Sequence, residues 1–238
     1  MSVQRLAQAI IDKKDALSSQ GAMEWRPDSW RKWLGDREEL DVAIDAVEAE
    51  SLVAAGATKI DRAGVRRVAA QGDSLRTFVA SQVWGHGTNG NGPWRVAVAL
   101  GLTAAETGSK TTYESSLSSL QEAYRLCKGQ GGVAAYRYMV NEGKLPWLGP
   151  AFITKYLFFI QDGGEPKPLI LDALVRRVIE THARDRLSKS FGRTVYYKDY
   201  LELVDDVVTS LSEKYERKCM AEDVETALFR IGSTNGQV

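Results

Sequence analysis

Cysteine and histidine are scarce in this chain of 238 residues: Cys127 and Cys219, His86 and His182. Two cysteines far apart make neither a disulfide framework nor a metal cluster. Two histidines leave no multi-histidine metal centre, so neither a metal nor a cofactor is expected. Net charge is also lacking, since 31 Lys and Arg balance 31 Asp and Glu. A protein that coats nucleic acid nonspecifically carries a clear basic excess, which argues against that class. A local basic face remains open, and it suits an enzyme that must release its substrate. No apolar run approaches the roughly 20 residues needed to span a bilayer. The opening stretch MSVQRLAQAIIDKKDAL mixes charge and apolar residues at helical spacing and lacks a signal-peptide core. The expectation is a cytoplasmic monomer with no membrane partner.

Runs of alternating apolar and polar residues are missing too, which points to an all-α class. Apolar residues make up 44% and charged residues 26%, ordinary values for a globular protein. The length allows one large domain or two small lobes sharing a core. Residues 1–20 read as an amphipathic helix with Leu6, Ile10, Ile11 and Leu17 near one face. Trp25, Trp30 and Trp33 read as core anchors, the last two three apart on one helix face. Residues 36–72 look helical and highly charged. The stretch 84–95, WGHGTNGNGPWR, holds four glycines and two Asn-Gly-type pairs, which predict a loop. Pro93 then opens a helix. Two further helices are expected at 113–128 and 132–142. Residues 150–161 are apolar nearly all round, as in a helix buried on every side, and Asp162, Gly163 and Gly164 would end it. Helical spacing returns after Asp172 and over 198–216, and the segment MAEDVETALFRI closes the chain. Three segments are expected: an N-terminal helical segment, 1–72; a core, 73–230; and a loose tail, 231–238.

The informative region is 144–177. A short helix ends near Gly143, a tight turn LPWLGP follows, and the apolar helix comes next. Such a turn exposes backbone N–H groups at a helix N-terminus, which hold a phosphate without a basic side chain. This arrangement lets a neutral protein grip DNA.

Leu145, Pro146, Leu148 and Gly149 match a Leu-Pro-Gly-Val-Gly hairpin, and Asp172 follows at the start of a helix. In these features the chain resembles the helix-hairpin-helix DNA glycosylases. Trp84-Gly85, the stretch Leu148 to Phe152, and Leu171-Asp172 are similar to a bacterial 8-oxoguanine-glycosylase-like branch. The resemblance covers roughly residues 80–230. It implies two helical lobes flanking a DNA-binding cleft, double-stranded DNA as partner, and Asp172 as catalytic carboxylate. The iron–sulfur cluster of some relatives does not fit two cysteines. Two positions depart from the pattern. Trp147 stands where the first hairpin glycine is expected. Ala151 stands where bifunctional members carry a nucleophilic lysine, while Lys155 lies one helical turn further on.

Cleaving a glycosidic bond builds positive charge on the sugar, and a carboxylate near C1′ stabilises it and orients water. Asp172 has a plainer role as helix cap, and the two roles coexist. If Lys155 attacked C1′ instead, a Schiff base and strand nicking would follow, a route helped by apolar surroundings that favour the neutral amine. Otherwise Lys155 is a surface residue and water attacks.

The target base must leave the stack. Trp84, Trp94, Tyr136 and Tyr138 could wall its pocket or supply a wedge, and His86, Asn89 and Asn91 could bond to it. The same aromatics could equally be core, and the asparagines turn formers. Leu145, Pro146, Trp147, Leu148, Gly149 and Ala151 of the hairpin, with Arg95, Arg176 and Arg177, are the expected DNA contacts. Excision of an oxidised purine or of a bulky modified base, such as modified phage cytosine, is the leading reading. A noncatalytic hairpin module and a helical protein-interaction domain are the alternatives.

Overall fold

A computed structural model describes residues 2–13, 20–54, 56–103, 108, 110–160, 164–215 and 218–234. Leu17, Asp162, Gly163 and the last four tail residues lie outside them. Twelve α-helices and three short strands are found among the described residues, so the class is all-α. None of the helices is long and apolar enough to cross a membrane. The chain divides into two compact units: residues 21–167, and residues 1–20 together with 168–238. The division expected at residue 72 is no boundary between them, since positions on both sides of it fall in one unit.

In the unit 21–167, β1 (Met23–Trp25), β2 (Leu52–Ala54) and β3 (Ala57–Ile60) form an antiparallel sheet in the order β1-β3-β2. Trp25 pairs with Thr58, and Ala54 with Ala57. These strands correct the reading of 36–72 as continuous helix. Strands of three or four residues are too short to display a period, so their pattern was invisible. Helices α2 (Pro27–Leu34) and α3 (Glu38–Ala49) fall between β1 and β2 along the chain, and α4 (Arg62–Ala69) follows β3. Trp25 and Trp30 are buried as core anchors, and Trp33 is half-buried.

Helix α5 (Ser74–His86) is the hub of this unit and packs against α3, α4, α6 (Gly92–Ala99), α7 (Tyr113–Gln130) and α9 (Pro150–Phe158). It runs through Trp84, Gly85 and His86, so the expected loop begins only at Gly87. Burial of Trp84 and His86 outweighs the local preference of a glycine for coil. Gly87, at φ 55°, ends the helix in a conformation that favours glycine. Helix α8 (Gly132–Val140) precedes the hairpin and α9 follows it.

Helix α9 is buried from Ile153 onward, as its apolar pattern demands. The Tyr156 hydroxyl donates to the Leu120 carbonyl at 2.9 Å, and its ring meets Phe78 edge-on at 5.5 Å. Helix α9 is thereby fixed to α7 and α5. The chain beyond it is tied back at Gly131, whose φ of 85° and close approach to the Glu165 carbonyl leave no room for a side chain.

The second unit joins α1 (Ser2–Asp12) to α10 (Ala173–Ala183), α11 (Thr194–Tyr215) and α12 (Ala221–Thr234). Leu6, Ala7 and Ile10 are the buried face of α1. Lys13 Nζ donates to Thr234 Oγ1 at 3.0 Å, and Ser2 bonds to Asp185. Gly232 of α12 lies against the backbone of Leu174, where a Cβ would stand 2.6 Å from the carbonyl oxygen. The first turn of α10 is held by that contact.

Candidate active site

Asp172 is the N-cap of α10. Its Oδ1 accepts from the backbone N–H groups of Leu174 at 3.0 Å and Val175 at 3.1 Å. Those amides would otherwise lack partners at the helix start. The segment before it is held from α11. The Tyr197 hydroxyl accepts from Leu169 N–H at 3.1 Å and donates to the Leu169 carbonyl at 2.9 Å. The Tyr200 hydroxyl donates to the Ile170 carbonyl at 2.9 Å. With Leu169, Ile170 and Leu171 buried, the carboxylate sits half-exposed at the end of a fixed strand-like segment. The two tyrosines escaped the sequence reading; their spacing showed only a helix face.

In the unit 21–167, α5 and α9 meet along a polar seam. Gln82, Gly85 and His86 occupy one face of α5, and Phe152 and Lys155 one face of α9. The stem of Lys155 runs over Gly85, and its ammonium lies 5.1 Å from the centre of the Phe152 ring. Lys155 is only 9% exposed, so it is not a surface lysine. His86 stacks on the same phenyl group, its ring 4.0 Å from that of Phe152 at 16°. Gln82 donates through Nε2 to the Phe152 carbonyl at 3.2 Å. The opposite atom, Oε1, is buried without a hydrogen-bond partner, and so is His86 Nδ1. Burial, then the charges of Arg95 and Lys155, press the His86 pKa down to about 4. His86 is therefore neutral at neutral pH. Gln82 carries no recognisable motif and was missed; Phe152 was noticed only as part of the hairpin match.

The hairpin keeps its turn despite the departure at Trp147. Trp147 adopts φ 59°, the region a glycine would occupy, which costs a non-glycine residue roughly 1–2 kcal/mol. Its indole is 58% exposed and meets Trp94 edge to face, centroids 5.1 Å apart at 67°. Leu145 and Leu148 are buried beneath the turn, and Pro146 is half-buried. Gly149 is the N-cap of α9 and offers no side-chain cap, with Pro150 in the first turn. Ala151, in that first turn, is half-exposed.

The other predicted residues divide clearly. Trp84, at 3% exposure, packs edge-on against Phe159 and belongs to the core. Tyr136 is fully buried, and the ring of Tyr138 covers Gly143 within the hairpin. Asn89 forms the turn after α5, its side chain accepting from Asn91 N–H at 3.2 Å, and both asparagines are exposed. Arg95 is half-buried with Nε lacking a hydrogen-bond partner. Arg176 is engaged by Phe191, 4.4 Å from its ring, and by Glu180 at 3.6 Å. Arg177 is exposed. A recess of about 640 Å³ lined by Arg5, His182, Arg184, Asp185 and Lys189, among others, contains none of the predicted residues.

Compared with known families, residues 17–229 match the one described as "Putative 8-oxoguanine DNA glycosylase OGG-like protein". The chain belongs to this family. The match reaches well beyond the hairpin, taking in the sheet, α5 and both units. No curated protein and no solved structure matches the chain. Membership carries the glycosylase superfamily and its helical fold, and with them an association with DNA.

Proposed function

We propose that this protein is a DNA glycosylase that turns a modified base out of duplex DNA and cleaves its N-glycosidic bond. The observation that carries this reading is Asp172: a carboxylate fixed by two amides at the head of α10, in a chain of the glycosylase family. The C1′–N bond breaks and its electron pair leaves with the base. Asp172 stabilises the positive charge on the sugar and orients a water molecule. Water adds to C1′, and its proton passes by way of the carboxylate to the departing base. The products are the free base and an intact abasic site.

The hairpin from Leu145 to Ala151 would hold a backbone phosphate at the open N-terminus of α9, and Arg95 and Arg177 would add positive charge. Lys155 is the amine available for a second route. Attack by its nitrogen on C1′ would expel the base, form a Schiff base and permit strand nicking. Its seat between Gly85 and Phe152 supports this role better than the surface position the sequence allowed. For the substrate, the family's description supports an oxidised purine, and a bulky modified pyrimidine such as modified phage cytosine is the other class. Repair and defence against phage are the corresponding roles.

The test is base release from duplexes containing unmodified bases, 8-oxoguanine or modified phage cytosine, by wild type and Asp172→Asn. Release by wild type and not by the variant is expected. A borohydride-trapped adduct lost in Lys155→Ala assigns the amine route. DNA bound by wild type with no base released from any duplex would overturn the glycosylase reading in favour of a binding module.

A further inference from the structure

From the contact of exposed Trp147 on the hairpin with half-buried Trp94 of α6 we infer a stacking platform for an unpaired nucleobase, a role beyond the phosphate contact of the hairpin. The inference rests on the reading of the chain as a DNA-acting protein. Trp147 holds a backbone conformation that glycine adopts without strain, and leaves more than half of its large apolar side chain in water. Neither feature helps the protein fold. A residue that is both strained and exposed is retained for what it touches outside the molecule. Its neighbour is another indole from a different segment, brought to 5.1 Å by α6, so two aromatic groups share one surface point.

The surroundings identify the partner's chemistry. Arg95 follows Trp94 directly, Lys144 is exposed two residues before Pro146, and the uncapped start of α9 lies two residues beyond Trp147. Glu142 offsets Lys144, so attraction for an anion comes from Arg95 and the helix N-terminus. A flat aromatic surface beside an anion-attracting helix end fits a nucleotide: phosphate at the amides and base against indole. In paired DNA the base faces are hidden in the stack, so only an unpaired base can meet the platform. The consequence is a preference for DNA with a base already out of the helix next to the gripped phosphate.

Trp147→Gly tests this, because glycine suits φ 59° and the variant is expected to fold with a melting temperature within about 4 °C of wild type. Binding is measured to one strand alone, to its perfect duplex, and to the duplex carrying one extra unpaired thymine. The expected result is a loss of about tenfold or more on the single strand and the bulged duplex, with a clearly smaller loss on the perfect duplex. Trp147→Phe should recover part of that loss, and Trp94→Leu should reproduce it. Equal losses on all three DNAs, or none, would overturn the platform, as would a large fall in melting temperature with Trp147→Gly. Wild type that binds none of the three would instead remove the DNA-acting reading itself.

Discussion

A methyl group on Gly85 would stand 2.8 Å from Cδ of Lys155. The only clash is with the middle of a flexible side chain, so Gly85→Ala should leave the fold intact, helped by the better helix propensity of alanine. The ammonium, however, would be pushed off its place over Phe152. Misplacing a reacting group by about 1 Å costs on the order of 100-fold. We expect borohydride-trapped product to fall by about that factor in Gly85→Ala, with DNA affinity and melting temperature unchanged. Trapping at the wild-type rate would show that Lys155 does not act from this seat.

Asparagine caps a helix as well as aspartate does, so Asp172→Asn should unfold in urea within about 0.5 kcal/mol of wild type. Base release should fall by about 100- to 1000-fold, because the charge that supports the sugar cation is gone. Asp172→Ala should lose the activity and about 1 kcal/mol of stability as well. The two variants separate the cap from the chemistry.

His86 makes stability depend on pH. In the unfolded chain it takes up a proton near its ordinary pKa of 6.5, but in the folded protein only near 4. Between those values protons bind the unfolded state in preference, so stability falls as the pH drops through this window. The full loss is about 3 kcal/mol once the pH lies well below 4. His86→Phe keeps an aromatic ring against Phe152 and should remove this part of the dependence. Urea unfolding at a series of pH values checks it; an unchanged slope in the variant would refute the assignment.

The Tyr197 and Tyr200 hydroxyls should matter for activity because they hold the backbone two and three residues before Asp172. Tyr197→Phe leaves both peptide groups of Leu169 short of a partner, at a cost of about 1–3 kcal/mol. The segment ending in Asp172 then loses an anchor. We expect turnover to fall more than substrate affinity, and the double variant Tyr197→Phe, Tyr200→Phe to fall further.

Much of this was legible in the sequence for simple reasons. The apolar stretch around Ile153 and Tyr156 announced a buried helix, and Leu145, Pro146 and Gly149 announced the turn before it. Asp172 could be read twice, as cap and as the residue the resemblance requires. The three strands were hidden because three residues carry no period. Trp84 and His86 were placed in a loop because Gly85 and Gly87 looked alike in sequence. Only the first lies inside a helix, where its missing side chain makes space for Lys155. The role of Gln82 was unreadable, since a buried amide is defined by what another helix places beside it.

The unit that carries Asp172 is assembled from both ends of the chain, with residues 21–167 inserted between its parts. During synthesis the inserted unit has every one of its own residues available once position 167 has been made. Helix α1 is made first, yet its partners α10, α11 and α12 come last. It must wait, with Leu6 and Ile10 uncovered, while residues 21–167 are made. A ribosome that stalls in between would release a polypeptide with the complete hairpin and no aspartate. Such a fragment would carry the turn and Lys155 without the capped helix that Asp172 opens.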